Sequence, residues 1–200
     1  VHHVVSTSEY SLSFTTGAAL IRESVMIADI YVQLRHWPDV RSKVLTENSL
    51  QSRTVSTLKK LYGEVSKRLK LLTDDQLVML ATGSETQVKA LVWLAICRQY
   101  TFIHDITIEV IVPHYSAARF SLTHEDYDAF FNAKAEWHDN LDSASKQTKS
   151  KARQVFFKMM KECGITGDSN ELQPQRFDAQ LVQMIKASEP DELRLYPGIE

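Results

Sequence analysis

Cysteine, glycine and proline are all scarce in this chain: two Cys, six Gly and five Pro in 200 residues. Cys97 and Cys163 lie far apart with no CxxC spacing, so they offer neither a zinc ligand set nor a disulfide framework. A reducing, cytoplasmic setting is therefore expected. Both sit among apolar residues at helical spacing, which suits buried, inert thiols. So few Gly and Pro favour long helices over a turn-rich β fold. Long hydrophobic runs are missing as well. The most apolar stretch, residues 90–112, is interrupted by Arg98, Gln99, His104, Asp105 and Glu109. It falls short of the ~20 consecutive apolar residues that a spanning helix requires, and no membrane insertion is expected. No charged segment followed by an apolar run marks a secretory signal. The His2-His3 pair has the look of a tag remnant, so residues 1–9 carry no functional argument.

Chemical motifs are equally sparse. GxGxxG, GxxxxGK[ST] and GxSxG are absent, and nothing in the pattern argues for catalysis, a cofactor or a metal. His36, His104, His114, His124 and His138 are scattered, with no two at i, i+3 or i+4. His104-Asp105 and His138-Asp139 are adjacent pairs, and neighbours on a helix project in different directions. Asp126, Asp128, Glu136, Asp139 and Asp142 form an acidic cluster. Asp-x-Asp on a helix separates its carboxylates by about 200°, so a solvated face is the better reading than a shared metal.

What the chain does have is localised positive charge. Its formal net charge is −2, which offers no general attraction to nucleic acid. Residues 41–70, however, hold eight Lys/Arg against two Glu, and residues 146–161 hold six Lys/Arg and no acid. Each segment stands at +6, which leaves the remainder at −14. Two concentrated basic segments in a near-neutral chain are consistent with a polyanion-binding face; two unrelated solvated helices would give the same count.

Both segments read as amphipathic helices. Ser52–Leu72 places Val55, Leu58, Leu61, Tyr62, Val65, Leu69 and Leu72 on an apolar stripe, with Arg53, Ser56, Lys60, Gly63 and Lys67 opposite. Gly63 lowers helix propensity by about 1 kcal/mol and would admit a close backbone neighbour. A shorter helix, Pro38–Glu47, precedes it across Asn48–Gln51, giving a helix-turn-helix-like unit over residues 38–72. Thr148–Cys163 points Ala152, Val155, Phe156, Met159, Met160 and Cys163 inward, and Gln147, Ser150, Gln154, Lys158 and Lys161 outward, with Lys151 on the flank. A helix begun by Thr123-His124-Glu125-Asp126 and a looser polar link, His138–Gln147, make a second such unit over residues 123–163. Tyr127, Phe130, Phe131 and Trp137 are expected to be core rather than a stacking platform.

Elsewhere, Thr15 or Thr16 is expected to cap a helix running to about Arg35, with Gly17 in its first turn. Thr73–Gln76 and Ser84–Gln87 are capping-box patterns. The helix after the second box, Val88 to about Tyr100, is apolar almost all round and should be the hub of the core. Thr101–Val112 is β-branched, but the spacing of 102, 103, 106 and 110 favours helix. Pro174 should start a last helix, Gln175–Ala187, with the tail lying against the body. The expected fold is thus all-α, with about eight to ten helices and two helix-turn-helix-like units around a buried central helix. Residues 1–113 form an N-terminal part with the first unit and the core helix (84–112); residues 114–200 form a C-terminal part with the second.

The candidate DNA-binding residues are Arg53, Ser56, Lys59, Lys60 and Lys67 in the first unit. In the second they are Lys146, Lys149, Lys151, Gln154, Lys158 and Lys161. Lys outnumbers Arg, so contact with phosphates rather than base edges is expected. Folded RNA is an alternative ligand, and an acidic partner protein, docked by the same faces in an adaptor role, is another.

Three stretches carry a family resemblance: Tyr10–Ala18 (YSLSFTTGA), Leu20–Ser24 (LIRES) and Tyr127–His138 (YDAFFNAKAEWH). With Arg153-Gln154-Val155-Phe156 and Glu162-Cys163-Gly164 they extend it over about residues 10–187. The chain resembles the BrxA family, a core component of BREX phage-exclusion systems in bacteria. The resemblance implies a soluble, all-helical, non-enzymatic protein with helix-turn-helix-like units that binds double-stranded DNA. Other BREX proteins, among them an adenine methyltransferase, would be its partners. It supplies no catalytic residues, and the binding residues above come from the helical wheels alone.

Overall fold

The computed structural model describes residues 10–199, so the His2-His3 reading lies outside the described residues. Among these, eleven α-helices and no strand are present, and the β pairing is confined to the isolated bridges Ser121–Glu171 and Thr166–Leu172. The fold is all-α, as the composition implies. The helices are α1 (Ile21–Leu34), α2 (Trp37–Glu47), α3 (Val55–Leu69), α4 (Asp74–Thr82), α5 (Glu85–Gln99) and α6 (Thr101–Ile106). There follow α7 (Val112–Ser116), α8 (His124–Ala135), α9 (Asp139–Asp142), α10 (Lys146–Glu162) and α11 (Ala179–Ser188).

Local chemistry explains most helix starts. Thr73, Ser84 and Thr123 close capping boxes with Gln76, Gln87 and Asp126, which satisfy two orphan N–H groups at each start. From Val88 to Cys97 every α5 residue except Lys89 is buried, so this helix is the hub of the core. Trp93, fully buried, donates its indole N–H to the Leu195 carbonyl at 3.2 Å, and the Tyr196 hydroxyl donates to the Ala90 carbonyl at 2.8 Å. These bonds fix the C-terminal tail, a 3₁₀ turn at Pro190–Leu195, against the hub. Residues 101–112 are helical, but the expected single helix is divided. A π-helical turn, Thr107–Ile111, separates α6 from α7. Pro113 gives no N–H to the Glu109 carbonyl and its ring would crowd it, and the wider turn falls at that position.

Two boundaries differ from expectation. Neither Thr15 nor Thr16 caps α1. A 3₁₀ turn occupies Ser13–Thr15, Gly17 and Leu20 adopt positive φ (77° and 55°), and α1 starts only at Ile21. Tertiary bonds hold this irregular stretch: Arg68 donates to the Ala18 and Ala19 carbonyls at 3.0 and 3.2 Å, and the Ala19 N–H donates to Glu162 at 2.8 Å. Pro174 likewise starts no helix. Gln173 and Gln175 give their N–H groups to the carbonyls of Ile165 and Pro197, each at 2.9 Å, which keeps the chain extended until Asp178 caps α11.

Candidate nucleic-acid interface

α10 begins at Ser145, whose side chain accepts the Thr148 N–H at 3.1 Å. Its inner face is as expected, with Ala152, Val155, Phe156, Met159 and Met160 buried, and Phe157 joins them. Phe157 lies beside this stripe, and the edge of His124 packs on it with ring centroids 4.8 Å apart. The outer face carries Lys146, Lys151, Gln154, Lys158 and Lys161, all exposed. Lys149 is half-buried; its Nζ donates to the Asp142 carbonyl at 3.2 Å and stands 5.5 Å from the Phe131 ring centre. Lys158 reaches Glu162 at 3.7 Å and Lys161 reaches Asp168 at 2.8 Å. Both are solvated pairs of small energetic worth, so the lysines remain available to another anion.

α3 is less basic in space than in sequence. Thr54 caps it, and Arg53, Ser56, Lys59 and Lys60 are exposed around its first turns. Arg68, by contrast, is 1% exposed and forks onto Glu64 through Nε and Nη2 at 3.2 and 2.8 Å. Lys67 pairs with the same carboxylate at 2.6 Å and lies over the Tyr100 ring. Lys43 pairs with Glu47 at 3.6 Å. The two Glu already subtracted in the +6 of residues 41–70 are thus the partners of Lys43, Lys67 and Arg68, and Arg68 is withdrawn from solvent. The i, i+3 and i, i+4 spacing of Glu64 to Lys67 and Arg68 was the sequence signal for this.

Two further expectations for this helix are corrected. Val55 is not on the buried stripe but 65% exposed, because it occupies the first turn, beyond the reach of the core. Gly63 admits no close neighbour: a Cβ there would meet nothing within 4 Å.

The segment Ser13–Leu20 lies between the two basic helices. Arg68 holds it from α3 and Glu162 from α10, while Thr15, Gly17, Lys151, Gln154 and Lys158 line one cleft. The Lys67 ammonium touches the near end of the segment at Ser13, 3.4 Å away. Lys67 is thus tied towards the α10 side of the molecule. Lys60 lies seven residues earlier, about 10 Å along the axis, and Arg53 about 20 Å.

The expected second unit is modified by α9, a helical turn where a polar link was expected. α8 meets α10 through Tyr127, which packs on Phe156 with centroids 5.3 Å apart. Tyr127, Phe130 and Phe131 are core, as expected, but Trp137 is 83% exposed just past the end of α8. Asp126 and Asp128 diverge, Asp126 to Arg119 at 2.6 Å and Asp128 to Arg153. Arg153 is a basic residue of this face that the wheel did not single out, although it follows Lys149 at i+4. His104 and Asp105 do meet, at 2.9 Å, despite being sequence neighbours. Burial alone would raise the Asp105 pKa, yet hydrogen bonds from His104 and Tyr10 hold it below its ordinary value. Cys97 and Cys163 are buried and burial pushes both thiols up. Among the described residues, no helix is long and apolar enough to cross a membrane, and no group of three or more His, Cys, Asp or Glu could hold a metal ion.

The fold is similar to the crystal structure of an uncharacterized protein from Magnetospirillum magneticum. The TM-score is 0.76 at 18% identity, over 94% of this chain and 96% of that one. In sequence, the chain is 25% identical to a BREX protein BrxA of Bacillus cereus (strain H3081.97) over 152 residues, covering 74% of this chain and 76% of the relative. It is 22% identical to a BREX protein BrxA of Escherichia coli O9:H4 (strain HS) over 169 residues, covering 84% and 77%. The family model for BrxA matches residues 8–189, nearly the whole chain, and the protein belongs to the BrxA family.

Proposed function

We propose that this protein is a component of a BREX phage-defence system and binds double-stranded DNA there, mainly through the phosphate backbone. Family membership and the two relatives described as BREX proteins support the first part. One observation carries the second. Lys146, Lys149, Lys151, Lys158 and Lys161 share α10, which holds no acid before Glu162. Lys146 to Lys161 rises about 22 Å along the helix axis. Duplex DNA presents a phosphate every ~1.7 Å of its own axis, so such a face meets several of them. The first turns of α3 supply a second contact through Arg53, Ser56, Lys59 and Lys60. In this reading α2–α3 and α8–α10 act as helix-turn-helix-like units, with the later helix of each toward DNA. The excess of Lys over Arg favours backbone contact with weak sequence preference; Arg53, Ser56 and Gln154 are the candidates for touching base edges.

Titration with two unrelated duplexes at two salt concentrations tests this. Comparable affinities that fall steeply with salt are expected. Lys146→Glu with Lys151→Glu, and Lys59→Glu with Lys60→Glu, should each weaken binding at unchanged melting temperature. Undiminished binding by both double variants would overturn the site. Lys67 is unsuited to charge reversal, since a carboxylate there would face Glu64.

The exposed Trp137 favours a second role, docking of another BREX protein such as the adenine methyltransferase, because aromatic side chains are enriched at protein interfaces. Co-purification of BREX proteins that survives nuclease treatment but is lost in Trp137→Ala would support it; retention by that variant would remove Trp137 from the contact.

A further inference from the structure

The Tyr127 hydroxyl is an anomaly. The side chain is 1% exposed, packed among Phe102, Phe156 and Phe157, and its hydroxyl is buried without a hydrogen-bond partner. An orphaned buried hydroxyl costs about 1–3 kcal/mol, so such groups are rare and call for a physical reason. Tyr127 is not lost in the core, however. It lines a cleft of about 290 Å³ between α8 and α10, together with Asp128, Lys146, Lys149, Ser150 and Arg153. Burial raises the Tyr127 pKa, so the hydroxyl keeps its proton and is a donor. Asp128 and Arg153, both lining the same cleft, are the charged groups that act on it.

The other cleft groups share one preference. Lys146 and Ser150 are exposed, and Lys149 engages only a neutral carbonyl and a ring face. Arg153 donates to Asp128 through Nη1, leaving its remaining guanidinium donors for another acceptor. Three cations against one carboxylate, with two hydroxyl donors, is an environment for a tetrahedral oxyanion. We propose that the α8–α10 cleft is a discrete phosphate site: Lys146, Lys149 and Arg153 supply the charge and the Tyr127 hydroxyl the donor at its inner end. The phosphate comes either from the DNA backbone, in which case the site refines the duplex reading above, or from a free phosphate or phosphomonoester.

Tyr127→Phe is the informative variant, because it removes one oxygen and leaves the ring packing. Without ligand it should melt at the same or a higher temperature, since an unsatisfied buried hydroxyl is gone. The full chain is titrated with inorganic phosphate at constant ionic strength, with chloride as the control. The wild type should show a saturable rise in melting temperature and a shifted ³¹P resonance. Tyr127→Phe should bind phosphate roughly ten- to a hundredfold more weakly, the loss of a hydrogen bond to a charged acceptor. No saturable effect in the wild type, or equal affinity in the two proteins, overturns the proposal. A duplex titration then separates the sources. A parallel loss of duplex affinity in Tyr127→Phe identifies a DNA phosphodiester, and intact duplex affinity identifies a free phosphate. Failure of the wild type to bind duplex removes the DNA reading but leaves the inorganic phosphate result standing.

Discussion

Replacement of Arg68 by methionine removes a guanidinium that serves three partners at once. Nη1 donates to the Ala18 and Ala19 carbonyls, while Nε and Nη2 donate to Glu64. Glu64 is 5% exposed and also accepts the Tyr100 hydroxyl and the Lys67 ammonium. Methionine fills a similar volume, so the loss is electrostatic rather than a cavity. It strands most of a buried carboxylate's compensation and leaves two carbonyls unpaired. Removing one partner of a buried pair costs about 3–5 kcal/mol. For a chain of this length each kcal/mol lowers the melting temperature by about 2–4 °C, so a fall of roughly 6–20 °C is expected by calorimetry or circular dichroism. The partner substitution decides the cause. Glu64→Leu combined with Arg68→Met removes the stranded charge and should recover a large part of the loss, since an apolar replacement of a whole buried pair is often neutral. A fall below about 2 °C in the single variant, or a double variant no more stable than the single, would refute the account. The Ser13–Leu20 segment should also loosen in Arg68→Met, seen as faster amide exchange at Ser24, whose N–H donates to Leu20.

Gly63→Ala should stabilise the protein by about 0.5–1 kcal/mol, because the site is helical and exposed and the added methyl meets nothing; a lower urea midpoint would contradict the open geometry. Acid should destabilise the fold in a definable window. Burial works against it, but hydrogen bonds from Thr123 and the nearby Arg119 hold Asp126 below its ordinary pKa of 3.8, and Asp105 is lowered as well. A carboxyl depressed in the folded state contributes stability that is present above its unfolded pKa and lost as pH falls through the folded value. Stability should therefore decline below about pH 4, with a shallower slope in Asp126→Asn. An unchanged acid slope in that variant would dismiss the residue's contribution.

The sequence by itself determined the helical class, the capping boxes at Thr73, Ser84 and Thr123, the hub helix and the inner stripe of α10. Each rests on interactions within about four residues, where spacing and residue type are sufficient. It also located the basic segments, but the helical wheel put Lys67 on the open face and left its pairing with Glu64 unread. Only the tertiary structure decided how much of that charge reaches solvent, because burial of Arg68 depends on carbonyls at Ala18 and Ala19, fifty residues away in the chain. The same holds for the late start of α1, fixed by Arg68 and Glu162, and for the extended chain after Pro174, fixed by Ile165 and Pro197. The α8–α10 cleft and its unpartnered tyrosine are likewise invisible to a helical wheel. A wheel assigns Tyr127 correctly to the core, but only the packing of α8 on α10 brings it into one cleft with Lys146, Lys149 and Arg153. Local pattern sets which face of a helix is basic; long-range contacts set which of its charges are free.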